Sequence, residues 1–132
     1  MKKLIYTICI ISVLSTLSFR TQLPAAGYTL VVFEGSDWCV YCEKFNKDIL
    51  SDKAFTDYLE KNDIQVVKVD FPQRIKQTKE VKERNRMYAE RYNFEGIFPT
   101  LVITGKDNYR KLYYKTGMQA EEVIALIDDQ LK

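Results

Sequence analysis

Hydrophobic and polar positions change period several times along the chain, and each change marks an element. Tyr28–Glu34 (YTLVVFE) is a run of β-branched and aromatic residues without a breaker, which predicts a buried strand. Gly35-Ser36-Asp37 ends it. From about Val40 to Leu50 the spacing becomes helical, with Phe45 and Ile49 at i, i+4. Ser51 and Asp52 can restart a helix through Tyr58-Leu59, in which Ala54, Phe55, Tyr58 and Leu59 form one apolar stripe. Ile64–Asp70 (IQVVKVD) predicts a second strand, closed by Phe71-Pro72.

Residues 73–92 are densely charged, and Val81, Tyr88 and Tyr92 share a helical face at i, i+7, i+11. Their basic excess reads as a solvated helix face rather than an anion-binding patch. Glu95-Gly96-Ile97-Phe98-Pro99 breaks that helix. Thr100–Thr104 predicts a third strand and Tyr109–Tyr114 a fourth, joined across Gly105-Lys106-Asp107-Asn108 as a hairpin. The last helix is expected from about Gln119 to Leu131, with Val123, Ile127 and Leu131 on one face and Glu121 and Glu122 in the first turn, where the dipole favours acids. The order is β-α-α-β-α-β-β-α. Early strands joined through helices imply parallel pairing, and the late hairpin is antiparallel. The expected class is α/β, a mixed sheet with helices on both faces.

The N-terminal residues follow a different pattern. Lys2 and Lys3 precede an almost wholly apolar stretch, Leu4 to Leu14, and then Ser15–Ser18. This is the layout of a secretory signal peptide. The apolar stretch falls short of the roughly 20 residues that span a bilayer, which favours cleavage over retention as an anchor. The expected division is a signal peptide at 1–18, with a boundary as late as 26, and one domain at 27–132. Cys9 lies inside the apolar stretch and leaves with it. The expected location is the periplasm or the extracellular space, with membrane contact only through an uncleaved N-terminal segment.

Composition then removes several chemistries. The 132 residues suit one domain, and 46% apolar with 29% charged is ordinary globular usage. There is no histidine, so Ser-His-Asp triads, Cys-His proteases and imidazole metal ligands are excluded. Three cysteines do not complete a four-thiolate zinc site. Removing Lys2 and Lys3 takes the 20 basic residues down to 18, level with the 18 acidic ones. A balanced charge gives no reason to expect nucleic acid. Two cysteines remain, in a compartment where disulfides persist.

Those two form Trp38-Cys39-Val40-Tyr41-Cys42, after the first strand and at the start of the first helix. Two intervening residues let both sulfurs meet across one helical turn. Cys39 stands at the helix N-terminus, where unpaired N–H groups and the dipole favour a thiolate. The thiolate is the nucleophile, so Cys39 is expected to attack a partner disulfide. Cys42, one turn inside and more buried, is expected to resolve the mixed disulfide. A zinc half-site is the weaker reading, because no other Cys survives removal of the N-terminal segment and there is no His to complete it. A purely structural disulfide is the stronger competitor, although so short a loop gains little from closure.

The strand, GSDWCVYC opening a helix, and Ile97-Phe98-Pro99-Thr100 opening a later strand resemble the thioredoxin family, and more closely its secreted bacterial members with a GSDWCxxC signature. The resemblance covers about residues 28–131. It implies a thioredoxin fold, with a mixed four- to five-stranded central sheet flanked by helices on both faces. It also implies thiol–disulfide exchange with no metal and no organic cofactor. Pro99 matches the family's cis-proline. Phe98 matches the residue whose backbone pairs with an extended substrate. Trp38 matches the tryptophan beside the nucleophile, and Gly117 the glycine after the hairpin. With Val40 and Tyr41 these residues form the expected substrate groove. The implied partners are exported protein disulfides or dithiols and, by family analogy alone, a membrane-bound electron donor.

This chain departs from the family in three places. The family's buried acid, six positions before the nucleophile, is here Phe33. Glu34 is adjacent, but a one-residue shift points a strand side chain to the opposite face, which leaves its substitution for that acid open. Val40-Tyr41 offers no imidazole between the cysteines, so less thiolate stabilisation and a more reducing couple are expected than in strong oxidants. The gap of 60 positions from Cys39 to Pro99 exceeds the plain pattern, and the charged segment 73–92 accounts for the excess as an extension of the family's middle helix. Two other functions fit the sequence less well. One is a non-catalytic binding module with a static Cys39–Cys42 disulfide. The other is a peroxide-reducing thiol enzyme, for which no activating Arg or Thr adjoins Cys39 in sequence.

Overall fold

Strand β1 (Tyr28–Glu34) is buried from Leu30 to Glu34 and packs on both faces, hence its continuous apolar run rather than an alternating one. The computed structural model describes residues 27–132, so the expected signal peptide and Cys9 lie outside the described residues. After β1 come α1 (Val40–Phe45), a π-helical turn (Asn46–Leu50), α2 (Lys53–Lys61), β2 (Ile64–Asp70), α3 (Lys79–Arg91), β3 (Thr100–Thr104), β4 (Tyr109–Leu112) and α4 (Ala120–Leu131).

The four strands form one mixed sheet in the order β2-β1-β3-β4. β1 and β2 are parallel, in register from Tyr28↔Ile64 to Glu34↔Asp70. β3 runs antiparallel to β1, and β4 antiparallel to β3. One face of the sheet, through Leu30, Val32, Leu101 and Ile103, packs on α1, the π-helical turn, α2 and α4 by way of Phe45, Ile49, Phe55, Leu59, Val123 and Ile127. The other face, through Val31, Phe33, Val69 and Val102, packs on α3 by way of Tyr88, Ala89 and Tyr92.

Four local expectations change. The helix from Val40 loosens at Asn46, where the Ser51 N–H and hydroxyl both donate to the Asn46 carbonyl at 3.1 and 2.9 Å. A widened turn of this kind inserts one residue into the helical ladder. In α2 the buried stripe narrows to Phe55 and Leu59, with Ala54 exposed; Asp52 caps the helix by accepting from the Phe55 N–H at 3.0 Å. The charged helix starts at Lys79 rather than residue 73, capped by Thr78, because the N–H groups of Gln73, Arg74 and Ile75 donate instead to the Asp37 carboxylate. β4 ends at Leu112. Beyond it the Tyr114 N–H turns back to the Leu112 carbonyl and the Tyr114 ring packs edge-on against Phe45 at 4.9 Å.

The α3-side core is largely aromatic. Phe33 stacks on Phe94 at 4.5 Å and meets Tyr92 edge-on at 6.5 Å. Replacing a fully buried phenylalanine by alanine removes transfer energy and leaves a cavity. Phe33→Ala is therefore expected to lower unfolding free energy by about 3–5 kcal/mol, read as a lower guanidinium midpoint at unchanged slope.

Candidate active site

Cys39 and Cys42 lie where β1 gives way to α1, and four residues shape that junction. Gly35 has no room for a side chain, because a Cβ there would fall inside the Trp38 indole. The Gly35 carbonyl accepts from the Trp38 and Cys39 N–H groups at 3.2 and 2.9 Å, closing a tight turn. The Ser36 N–H and hydroxyl donate to the two Asp70 carboxylate oxygens at 2.8 and 2.6 Å. The Trp38 indole N–H donates to the Phe71 carbonyl at 2.8 Å. Cys39 is the N-cap of α1, in extended conformation, and its sulfur accepts from the Cys42 N–H at 3.1 Å.

Cys39 and Cys42 are disulfide-bonded, with Cα atoms 5.2 Å apart. Cys39 is 7% exposed and Cys42 1%, so the first sulfur is the one a partner can reach. A recess of about 540 Å³ opens beside it, lined by Trp38, Cys39, Val40, Tyr41, Gly96 and Phe98. Its lining is mostly apolar, and Val40 and Tyr41 are well exposed at its rim. The Trp38 and Phe98 rings meet edge-on at 5.2 Å, which joins the α1 loop to the chain entering β3. The Phe98–Pro99 bond is cis.

Most of the expected site residues converge on this recess. Trp38, Cys39, Val40, Tyr41 and Phe98 line it, and Cys42 is buried behind Cys39. Pro99 lines a neighbouring small recess with Glu95, Ile97, Thr100 and residues of β4. Gly117 lines neither; it has φ +97° in the turn before α4, with nothing within 4 Å of an added Cβ, so its glycine is required by backbone conformation rather than space.

Several partnerships around the site lay outside the sequence pattern. The side chain of Glu34 is 4% exposed; it accepts from Asn46 Nδ2 at 2.7 Å and lies 3.5 Å from Lys68 Nζ, which also donates to Asn46 Oδ1 at 2.8 Å. Asn46 follows Cys42 by one helical turn, and Phe33 packs on the opposite face among the α3-side aromatics. A buried carboxylate thus stands on the α1 side of the sheet, one residue after the position where the family carries its acid. Asp37 is the second such residue. Its carboxylate accepts from the N–H groups of Gln73, Arg74 and Ile75 at 2.8, 2.6 and 2.8 Å. Nothing local in the sequence pairs Ser36 with Asp70 or Asp37 with residues 73–75; the only signal is turn-forming Ser-Asp before a helix.

The Asp37 carboxyl is pulled two ways. Desolvation raises its pKa, but the three backbone donors and the Arg74 charge outweigh that and hold it below the usual carboxylate value. A folded-state pKa below the unfolded one adds stability at neutral pH that is lost as pH falls through the folded value. Asp37→Ala is expected to melt below the wild type at pH 7. The gap should close as the pH drops below about 4, where free aspartate protonates. Circular-dichroism melting across that range checks both signs.

Among the described residues, no group of three or more Cys, Asp or Glu could hold a metal ion, and no helix is long and apolar enough to cross a membrane. The parallel–antiparallel sheet and the CxxC pair at the head of α1 define a thioredoxin-like protein. A family model for the thioredoxin-like domain matches residues 18–131, and the chain belongs to that family. A disulfide bond reductase DsbH from Chlamydia pneumoniae is 37% identical over 70 residues, which cover 53% of this chain and 41% of that protein. The match therefore spans less than half of that relative's length. A solved structure of a DsbH oxidoreductase superposes with TM-score 0.70 at 26% identity, over 80% of this chain and 73% of the other. A thioredoxin from Thermus thermophilus shares the fold, with TM-score 0.51 at 23% identity, covering 80% of this chain and 74% of that one.

Proposed function

We propose that the protein is an exported thiol–disulfide oxidoreductase, working mainly as a reductase on other exported proteins. The observation that carries this reading is the asymmetry of the pair: Cys39 forms part of the wall of an open apolar recess, and Cys42 is buried behind it. In the reduced enzyme the Cys39 thiolate attacks one sulfur of a substrate disulfide. A mixed disulfide forms and the first substrate thiolate leaves. Cys42 then attacks the Cys39 sulfur, the second substrate thiolate leaves, and the Cys39–Cys42 disulfide remains. Two electrons have passed to the substrate, and a dithiol donor, soluble or membrane-bound, restores the pair.

The site residues take these roles. Trp38, Val40, Tyr41 and Phe98 receive the chain flanking the substrate cysteine, and Pro99 shapes the backbone beside Phe98; Gly117, in the turn before α4, does not line the recess. Glu34, held by Asn46 and Lys68, takes the proton that Cys42 loses on attack. The Chlamydia pneumoniae relative is a disulfide bond reductase, which supports the reducing direction. So does the lack of any histidine to stabilise the Cys39 thiolate. Residues 1–18 act as the export signal and residues 27–132 as the working domain; the N-terminal sequence of the exported protein tests that division.

Insulin-disulfide reduction with dithiothreitol is expected to depend on Cys39. Cys39→Ser should fall to the uncatalysed rate, and Cys42→Ser should accumulate a mixed disulfide. Equal rates for wild type and Cys39→Ser would instead indicate a binding module with a static disulfide. Equilibration with glutathione should give a potential well below the strong-oxidant end near about −120 mV. In Glu34→Gln, stopped-flow mixing should show a longer-lived mixed disulfide with the first attack unchanged; identical lifetimes would remove Glu34 from the proton path.

A further inference from the structure

The wall of the Cys39 recess has a second side. Along residues 96–99, Gly96 and Phe98 line that recess, whereas Ile97 and Pro99 line another, of about 190 Å³. This second space opens where β4 leaves the sheet. Leu112 pairs with Leu101, but Thr100 pairs with Phe33 of β1 and has no partner on β4. The chain turns away at Tyr113, and Tyr113 and Tyr114 close the far side of the recess.

The polar groups of the lining are already engaged. The Lys111 ammonium donates to the Asn93 carbonyl at 2.7 Å and to Glu95 at 3.1 Å. The Thr100 hydroxyl donates to the Ile97 carbonyl at 2.7 Å. The one acid and the one base in the lining are thus paired with each other, and the surface left over is mainly apolar. Ile97 is 64% exposed and Tyr113 85%, and neither belongs to either core. Covering such side chains removes apolar area from water, which is favourable. The size narrows the occupant. Small-molecule sites run to roughly 300–1,000 Å³, so this recess suits one side chain of a bound chain. Only the 96–99 segment parts it from the Cys39 recess. Neighbouring extended chains lie about 4.8 Å apart and rise about 3.3 Å per residue, so two or three residues cross that wall.

We propose that Ile97 and Tyr113 bound a substrate subsite for a bulky aliphatic or aromatic side chain, two or three residues from the reactive cysteine. A substrate segment seated at Cys39 crosses the 96–99 wall and covers both side chains. Ile97 and Tyr113 set specificity and take no part in the chemistry. The inference rests on the thiol–disulfide exchange reading and leaves the bonds made and broken in that exchange unchanged.

The test uses peptides whose one cysteine is held in a disulfide with glutathione, with dithiothreitol as the electron donor and kcat/KM as the readout. Leucine replaces alanine in turn at each of the three positions on either side of the cysteine. At a position two or three residues away, wild type is expected to prefer leucine by about tenfold, the scale of burying much of one aliphatic side chain. Ile97→Ser combined with Tyr113→Ser should bring that ratio close to one and leave turnover of the all-alanine peptide unchanged. Both side chains are exposed, so the double variant should melt like the wild type. Added salt should leave the ratio unchanged, since no charge contact carries it. A series with no leucine preference that the double substitution removes overturns the subsite, as does a preference that salt abolishes. The oxidoreductase reading would still stand in that case, because turnover of the all-alanine peptide is measured in the same series. Failure to turn over any of the peptides would overturn that reading and the subsite with it.

Discussion

The reactive end of the molecule depends on one set of hydrogen bonds, those that Ser36 donates to the Asp70 carboxylate. Parallel register places Glu34 opposite Asp70, so β1 and β2 end level with each other. The chain leaving β1 is thereby tied to the end of β2 before it can turn into α1. Asp70 also works in the other direction. Its carbonyl accepts from Asn85 Nδ2 at 2.6 Å and Gln77 Nε2 at 2.9 Å, so α3 and the segment before it share the same anchor. Asn85 is buried, and an unpaired amide there would be costly; its bonds to Asp70 and Arg84 remove that cost. Among the described residues, no buried side-chain polar atom lacks a partner.

From that anchor the groove is built by aromatic contact. Phe33 stacks on Phe94, Phe94 meets Phe98 edge-on at 5.0 Å, and Phe98 meets Trp38 at 5.2 Å. Phe71 joins the same cluster through Phe94 and Phe98. The series runs from the α3-side core to the rim of the Cys39 recess. It also gives a physical account of phenylalanine at position 33: that side chain packs an aromatic core, and the Glu34 carboxylate lies on the opposite face. There it sits behind α1 with Asn46 and Lys68, in a setting where burial is offset by hydrogen bonding. The adjacency of Phe33 and Glu34 in sequence and their separation across the sheet follow from the two-residue period of a strand.

How much was legible in the sequence depends on the range of the interactions involved. β1, β2 and β3 have the predicted bounds: β1 and β3, inside the sheet, are near-continuous apolar runs, whereas β2, at its edge, is mostly exposed or half-buried and is marked by its β-branched residues and by the breakers on either side. α4 begins one residue after the expected start because Gln119 and Glu122 form a capping box, a purely local motif. Two elements departed from the pattern where distant groups took over the backbone. Residues 73–78 carry helix-forming residues, yet their N–H groups turn to Asp37. The helix after Val40 loosens at Asn46, whose side chain is held by Glu34 and Lys68. In the site, Trp38, Cys39, Val40, Tyr41, Cys42 and Phe98 were readable from two short motifs. Asp70, Asp37, Arg74, Asn46 and Lys68 were not, because turn chemistry names a donor or acceptor but not a partner more than 20 positions away.

The sequence by itself determined the order of elements, the mixed α/β class, the membership of a histidine-free CxxC chemistry and the placement of Cys39 at a helix start. Each of these follows from local periodicity or from residue types that are simply present or absent. Only the tertiary structure decided that β3 runs antiparallel to β1, that Glu34 is a buried acid behind α1, and that residues 73–75 are clipped to Asp37 of the active-site loop. Strand direction is set by how layers pack, since the same alternation serves either direction. Burial of a carboxylate is set by whether an amide and an ammonium group reach it. The attachment of residues 73–75 to the active-site loop is set by Asp37 meeting backbone groups 36 to 38 positions away, and those are properties of the assembled fold.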